Sequence, residues 1–321
     1  MHIRSWLLLA AVAVAGTAVA QDYPTKPVKV IVPWSAGGGA DTVARLISAK
    51  LSESLGQTFF VENRGGATGT IGTDMVAKAA PDGYTLLLGT NSTYVLAVGL
   101  YKKLPYDTDK DLTPISRVAE VPHILSVNPN VPVKNAEELI ALLKANPGKY
   151  SFGSSGTAST PQVAGQVFMN RTGTKLLHVP YKGSGQSVAD TVSGTLQVSF
   201  DTLPAVLPFI KSGRLKALAV LGPTRVSALP DLPTTAELGL AGAEGQTWFG
   251  LYGPANLPAP VVKKLHDEVA KIVKQPDVKA KFESFGAVET ADVPSLEFAA
   301  TVRTDIPKYA KVLEAAGIEK E

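Results

Sequence analysis

The chain has 321 residues and no cysteine. Disulfides, thiolate chemistry and the usual cysteine-containing zinc sites are therefore excluded. Charged residues make up only 18%, nearly balanced to a formal net charge of +3, which gives no footprint for nucleic acid. Histidine is also sparse: His123, His178 and His266 lie far apart, in no metal-ligand spacing. The sequence lacks a Gly-x-Gly-x-x-Gly fingerprint, a Gly-x-x-x-x-Gly-Lys-Ser/Thr loop and the Gly-x-Ser-x-Gly elbow of hydrolases. No Ser-His-Asp set can be nominated from spacing, and no cofactor or metal is expected. No fixed-period repeat and no low-complexity segment is present. Beyond the first twenty residues no apolar run is long enough to cross a bilayer.

The first twenty residues read as a leader. His2 and Arg4 give a basic start, residues 7–14 are apolar but too short to span a membrane, and Ala18-Val19-Ala20 precedes Gln21 as a small-x-small cleavage site. A signal peptide over residues 1–20, cleaved near Ala20/Gln21, predicts a periplasmic protein. Loss of Arg4 lowers the formal charge from +3 to +2. With no cysteine after the run, a lipoprotein anchor is excluded. What remains, roughly 300 residues, is enough for two cored domains.

Strand-like and helix-like runs alternate through most of that length, which predicts an α/β protein with mainly parallel sheets flanked by helices. Strands are expected at residues 28–32, 59–62, 85–89, 150–153, 176–180, 196–201 and 217–221. Helices are expected at 42–55, 69–80, 94–101, 136–145, 162–170, 187–193 and 203–212. Residues 259–274, 277–285 and 295–316 are helical as well. Asn135 is the expected N-cap of the helix at 136–145. Two long extended stretches, 115–127 and 248–252, read as crossings. The chain is thus expected to form one discontinuous domain from residues 21–121 and 247–321. A second domain, 122–246, is inserted into it, with a hinge of two crossover strands and a ligand cleft between the lobes.

Two stretches share one build: an apolar strand, a loop of small residues, and a helix start. The first is Val28 to Val32, then Pro33-Trp34-Ser35-Ala36-Gly37-Gly38-Gly39-Ala40, then a helix beginning near Asp41. The second is Tyr150-Ser151-Phe152, then Gly153-Ser154-Ser155-Gly156-Thr157-Ala158-Ser159, then a helix from about Thr160. Each aims free backbone N–H groups and a positive helix end above its strand, as an anion site requires. The pair suggests a clamp on a small anion. In the first loop Trp34, Ser35, Ala36, Gly37 and Gly38 are the candidate contacts. Asp41 is read as a helix cap, with an ordered water or a ligand ammonium as its other uses. Ser154, Ser155, Gly156 and Thr157 are the candidates in the second loop. Thr90, Asn91 and Ser92 end a strand of the first domain, and Tyr181 and Asp201 lie at strand ends of the second, where cleft residues belong. Lys182 could meet a second carboxylate or simply be solvated, and Trp248 and Phe249 could wall the ligand or pack in the core.

The ordered set of blocks resembles the receptors of tripartite tricarboxylate transporters, the TctC-like or Bug-type periplasmic solute-binding proteins. Pro33 to Arg45 is similar to their opening, and Glu62-Asn63-Arg64-Gly65-Gly66-Ala67-Thr68-Gly69-Thr70-Ile71-Gly72 to their second block. Phe152 to Thr157, Val179-Pro180-Tyr181-Lys182-Gly183 and Pro230-Asp231-Leu232-Pro233-Thr234 are similar to the next three. The resemblance implies a two-lobed, type II periplasmic-binding-protein fold. It closes over a small organic carboxylate, a di- or tricarboxylate, an acidic amino acid or an aromatic acid. The loops after the first strand and before the middle-domain helix hold the carboxylate, partly through ordered waters. It also implies transient docking on a transporter of two integral-membrane subunits. The expected protein is a monomer with no chemistry of its own. Trp34 and Ala36 stand where the family often has Phe and Pro, which bears on ligand identity. A periplasmic enzyme acting on a carboxylated small molecule, or an orphan sensor or interaction protein, remains the alternative.

Overall fold

The structure, a computed structural model, describes residues 23–240, 242–243, 245–291 and 293–320. The leader expected at 1–20 and its cleavage site lie outside them.

Two three-stranded parallel units form the centres of the two lobes. In the first, β1 (Val28–Val32) lies between β2 (Phe59–Asn63) and β3 (Thr85–Thr90). In the second, β5 (Ser151–Ser154) lies between β6 (Leu177–Pro180) and β7 (Val198–Thr202). The units are joined by β4 (Leu112–Val127), a 16-residue strand that serves both lobes. Its first part pairs antiparallel with β9 (Gln246–Pro254), from Leu112↔Pro254 to Pro122↔Gln246. Its last five residues, His123 to Val127, pair antiparallel with β7 and with β8 (Lys216–Leu221). β9 closes the first lobe by running antiparallel to β3, and β10 (Val288–Glu289) adds a short antiparallel edge to β4. Parallel pairing therefore holds in the three outer strands of each lobe, whereas the crossing strands and those beside them are antiparallel. The reason is topological. Parallel neighbours need a helical crossover, and the chain changes lobes without one.

Helices cover both faces of each sheet: α1 (Gly39–Leu55), α2 (Thr70–Ala77), α3 (Ala97–Leu100), α4 (Ala136–Ala145), α5 (Thr160–Thr172), α6 (Ser184–Ser193), α7 (Leu203–Lys211), α8 (Ala259–Ile272), α9 (Pro276–Ser284) and α10 (Ser295–Ala315). The β1 sequence Val-Lys-Val-Ile-Val shows why two covers are needed. Val28, Val30 and Val32 pack with Val43, Ile47 and Leu51 of α1 and Leu265 of α8, whereas Ile31 belongs to the cluster of Val76 in α2 and Phe298 in α10. Each such buried side chain contributes roughly 1.5–3 kcal/mol relative to exposure. In the second lobe Leu125, Phe152 and Phe200 pack with Leu139 of α4 and Phe168 of α5, and Ile124 and Val220 pack with Val188 of α6 and Val206 of α7.

Most expected elements are present with small shifts at their ends. Asn135 caps α4 as expected, its side-chain oxygen accepting the Glu138 N–H at 2.8 Å. The helix expected from residue 69 starts at Thr70, because Gly69 has φ +84° and cannot join it. The helix expected at 94–101 is split into a π-helical segment, Ser92–Leu96, and α3. The two residues of β10 were not expected: so short an edge strand has no periodicity to read. Among the described residues no helix is long and apolar enough to cross a membrane.

Candidate ligand cleft

The carboxyl ends of β1, β3 and β7 and the loop after β5 open onto one small interlobe cavity. It is lined by Trp34, the start of α1 at Gly38 to Ala40, Thr90 and Ser92 from the first lobe, and Ser155, Thr160, Pro161, Ser184 and Thr202 from the second. Thr247 and Phe249 of β9 complete it. None of these residues has an ionisable side chain. Instead the lining includes the N-cap or first turn of four helices: α1, α5, α6 and α7. The opening N–H groups of a helix have no intrahelical partner, and the helix end carries about half a positive charge.

The first loop is fixed by one buried carboxylate. Asp41 is 5% exposed and sits in the first turn of α1, whose N-cap is Gly38, so Asp41 is not the cap itself. Its Oδ2 accepts the Gly37 N–H and Arg45 Nε, both at 3.0 Å, and its Oδ1 accepts Asn63 Nδ2 at 3.0 Å. Burial acts to raise its pKa, but the bonds from Arg45, Gly37 and Asn63 outweigh it and hold the group below the usual carboxylate range. Asp41 therefore shapes the loop from behind and does not line the cavity. Arg45 Nη2 also reaches the Asn63 side-chain oxygen at 3.2 Å, tying α1 to the end of β2.

The second loop is fixed without a charge. Ser154 is fully buried; its hydroxyl donates to the Gly156 carbonyl at 2.9 Å and pairs with His178 Nε2 at 2.6 Å. Ser159 donates to the same carbonyl at 2.6 Å. Burial pushes the His178 pKa down to about 4, so the imidazole is neutral near pH 7. Ser154 and His178 form a pair, but the hydroxyl is buried away from the cavity, so it is no candidate nucleophile. Gly156, at φ +141°, turns the loop, and Ser155 alone of the four candidates here lines the cavity.

The other candidates divide in the same way. Thr90 and Ser92 line the cavity, whereas Asn91 donates from Nδ2 to the Gln246 carbonyl at 3.2 Å. Tyr181 donates to Asp190 at 2.5 Å and lies outside the lining; burial, with Asp190 beside it, raises its pKa to about 12. Asp201 is 1% exposed and lies behind Thr202, whose N–H it accepts at 2.7 Å. Burial pushes its pKa up, against the hydrogen bonds from Ser184 and Thr202.

Ser35, Ala36 and Gly37 form a contact between the lobes. The Ser35 N–H donates to the Lys182 carbonyl at 3.2 Å. A methyl group at Gly185 would collide with the Ala36 carbonyl oxygen, and one at Gly65 would come within 2.6 Å of the Lys182 carbonyl oxygen. Elsewhere Thr68 donates to the Thr157 carbonyl at 2.6 Å and the Thr160 N–H to Ser92 Oγ at 3.1 Å. The Thr160 and Thr247 hydroxyls pair at 2.6 Å, and Thr247 meets His123 Nε2 at 2.7 Å. The lobes are thus closed on each other around the cavity.

Lining residues not picked out by sequence reasoning include Ala40, Thr160, Pro161, Ser184 and Thr247. A signal existed for two of them. Proline in the first helical turn marks the start of α5 at Thr160 rather than at 162. Gly183-Ser184-Gly185 reads as a loop because glycine is a poor helix former, yet α6 begins at Ser184.

Residues 43–318 match the sequence model of the tripartite tricarboxylate transporter family receptor. The chain belongs to that family. It is 36% identical to the protein BugT of Bordetella pertussis over 97% of this chain and 95% of that one. Among solved structures it is similar to Rpa4515 of Rhodopseudomonas palustris with adipate, at a TM-score of 0.90 and 34% identity, over 93% of this chain and 100% of that one. It is also similar to MatC of Rhodopseudomonas palustris with bound malate, at a TM-score of 0.85 and 32% identity, over 91% and 100%. The family consists of periplasmic solute-binding receptors rather than enzymes, and the two-lobed type II fold is theirs.

Proposed function

We propose that this receptor captures a small organic carboxylate between its lobes and delivers it to a tripartite tricarboxylate-type membrane transporter. The observation that carries the reading is the convergence of four helix N-termini on a cavity without an ionisable side chain. Helix ends and hydroxyls suit an anion and leave it weakly enough held to be released. The bound adipate and malate of its relatives support a di- or tricarboxylate; an acidic amino acid or an aromatic acid also suits the site. Because the acid touches both lobes, it binds the closed state better and shifts the population toward it. The reading takes the lobes as residues 21–121 with 247–321, and 122–246. The protein works as a periplasmic monomer released by cleavage near Ala20/Gln21 and contacts the transporter transiently.

Thermal unfolding against C4–C6 dicarboxylates, citrate, aspartate, glutamate, nicotinate and terephthalate tests this. An acid at about 100 times its Kd adds roughly 2.7 kcal/mol of stability. A selective rise in Tm names the ligand class; no rise with any acid, in folded and ligand-free protein, rejects the reading.

A further inference from the structure

Trp34 is 5% exposed and lines the cavity, yet its indole Nε1 has no hydrogen-bond partner in the protein. Among the described residues it is the one lining side chain with a buried nitrogen or oxygen left in that condition. The hydroxyls of Ser92, Thr160, Thr202 and Thr247, by contrast, are all engaged within the protein. A buried indole N–H without an acceptor is destabilising, and phenylalanine would provide the same aromatic wall without that cost. Because Trp34 lines the cavity, a ligand entering there can supply the missing acceptor. The backbone N–H groups of the four helix ends already suit one carboxylate. The indole N–H, carried by the β1–α1 loop and belonging to no helix end, is an additional donor.

We propose, building on the carboxylate-receptor reading above, that Trp34 is a specificity-determining residue. Its Nε1–H binds an oxygen at the second end of the ligand and so selects acids with two oxygen-bearing ends over acids with one apolar end. A hydrogen bond to a charged acceptor is worth about tenfold or more in affinity. Trp248 supplies an internal control. Its Nε1 is also buried and unpartnered, but it stacks on Tyr94 at 5.8 Å between ring centroids and does not line the cavity.

The test uses acids matched in chain length: succinate with butyrate, glutarate with valerate, and adipate with hexanoate. Affinities are measured by calorimetry on the wild type and on Trp34→Phe. The indole 15N–1H signals of the wild type are followed through the same titrations, with Trp34 assigned by its loss in the variant. The expected result is that the best-bound diacid exceeds its monoacid by about tenfold or more, and that Trp34→Phe removes this margin while leaving the monoacid within about twofold. The Trp34 indole proton moves downfield with the diacid only, and the Trp248 signal stays in place. A margin that survives in the variant, an equal fall for both acids, or a stationary Trp34 signal on diacid binding overturns the proposal. If the wild type binds a diacid and its monoacid equally, this proposal is overturned and the carboxylate reading stands. If it binds no acid of this set or of the thermal panel, the carboxylate reading falls with it.

Discussion

The two loops that form the cavity walls share a backbone plan but are anchored by opposite means. In the first lobe, the ionised Asp41 gathers the Gly37 N–H, Asn63 and Arg45 behind the turn. In the second, neutral groups do the same work: Ser154, Ser159 and the Gly156 carbonyl, with an uncharged His178. The difference concerns charge placement. Asp41 is compensated before a ligand arrives, so the first loop adds little net field to the cavity. The second loop adds none. A carboxylate entering between them meets helix ends and hydroxyls, without a fixed cation on either wall.

The comparison holds only when the loops meet, so the largest effect is expected from a change that keeps them apart. Gly185→Ala places a methyl group against the Ala36 carbonyl without adding to the cavity lining. Ligand affinity is expected to fall by about two orders of magnitude, because the closed state becomes inaccessible. Unliganded stability changes little, since alanine suits the first turn of α6. Calorimetry and the ligand-induced change in radius of gyration by small-angle scattering check both halves.

Asp41→Asn strikes the charged anchor directly. The Gly37 N–H, Asn63 and Arg45 together lose an ionised acceptor, and a loss of about 1–3 kcal/mol in urea unfolding at pH 7 is expected, with weaker ligand binding. Ser154→Ala strikes the neutral anchor and is expected to cost about 1 kcal/mol in the same measurement.

Acid should separate the two anchors. The folded pKa of Asp41 lies below its unfolded value, so its contribution is full above the ordinary carboxylate range and is lost as pH falls through the folded pKa. His178 is held neutral, with a pKa lowered from 6.5 to about 4. Between those values the unfolded chain binds the proton and the folded chain does not, so stability falls as pH drops from 6.5 to 4. Buried His123, lowered to about 3, contributes in the same direction over a wider window. His178→Gln is expected to reduce the slope of stability against pH between 6.5 and 4, leaving the share of His123, and to leave the more acidic limb, set by Asp41 and His123, in place. Urea midpoints at half-unit steps of pH resolve the two limbs.

The smallest effect belongs to Arg45→Ala. Its side chain is about half exposed, and solvent screening limits such a pair to about 1 kcal/mol or less.

The fold was legible in the sequence because its strands are buried on both faces and read as continuous apolar runs, as in Leu218 to Leu221. The anion clamp was legible because glycine and serine loops before helices are local signals. Local signals failed where a residue's role is set by the other lobe. Thr247 lies on a strand whose sequence gives no hint that its hydroxyl meets Thr160 across the cleft. Asp41 looks like a helix cap, and only the Gly37, Asn63 and Arg45 contacts reveal it as the brace behind the loop. Tyr181 lies at a strand end, as a cleft residue should, but Asp190, nine residues on, draws its hydroxyl away.

One consequence of the shared strand β4 concerns the chain entropy each lobe gives up on closing. The strands of the second lobe, from the end of β4 through β8, lie within one continuous stretch and close through modest loops. The first lobe is different. β3 finds its next neighbour only when β9 arrives, pairing Leu87 with Tyr252 across the whole intervening block. Chain entropy must be given up before that pairing contributes anything. The second lobe therefore closes at a smaller cost in chain entropy than the first, whose β3–β9 pairing spans the whole of it.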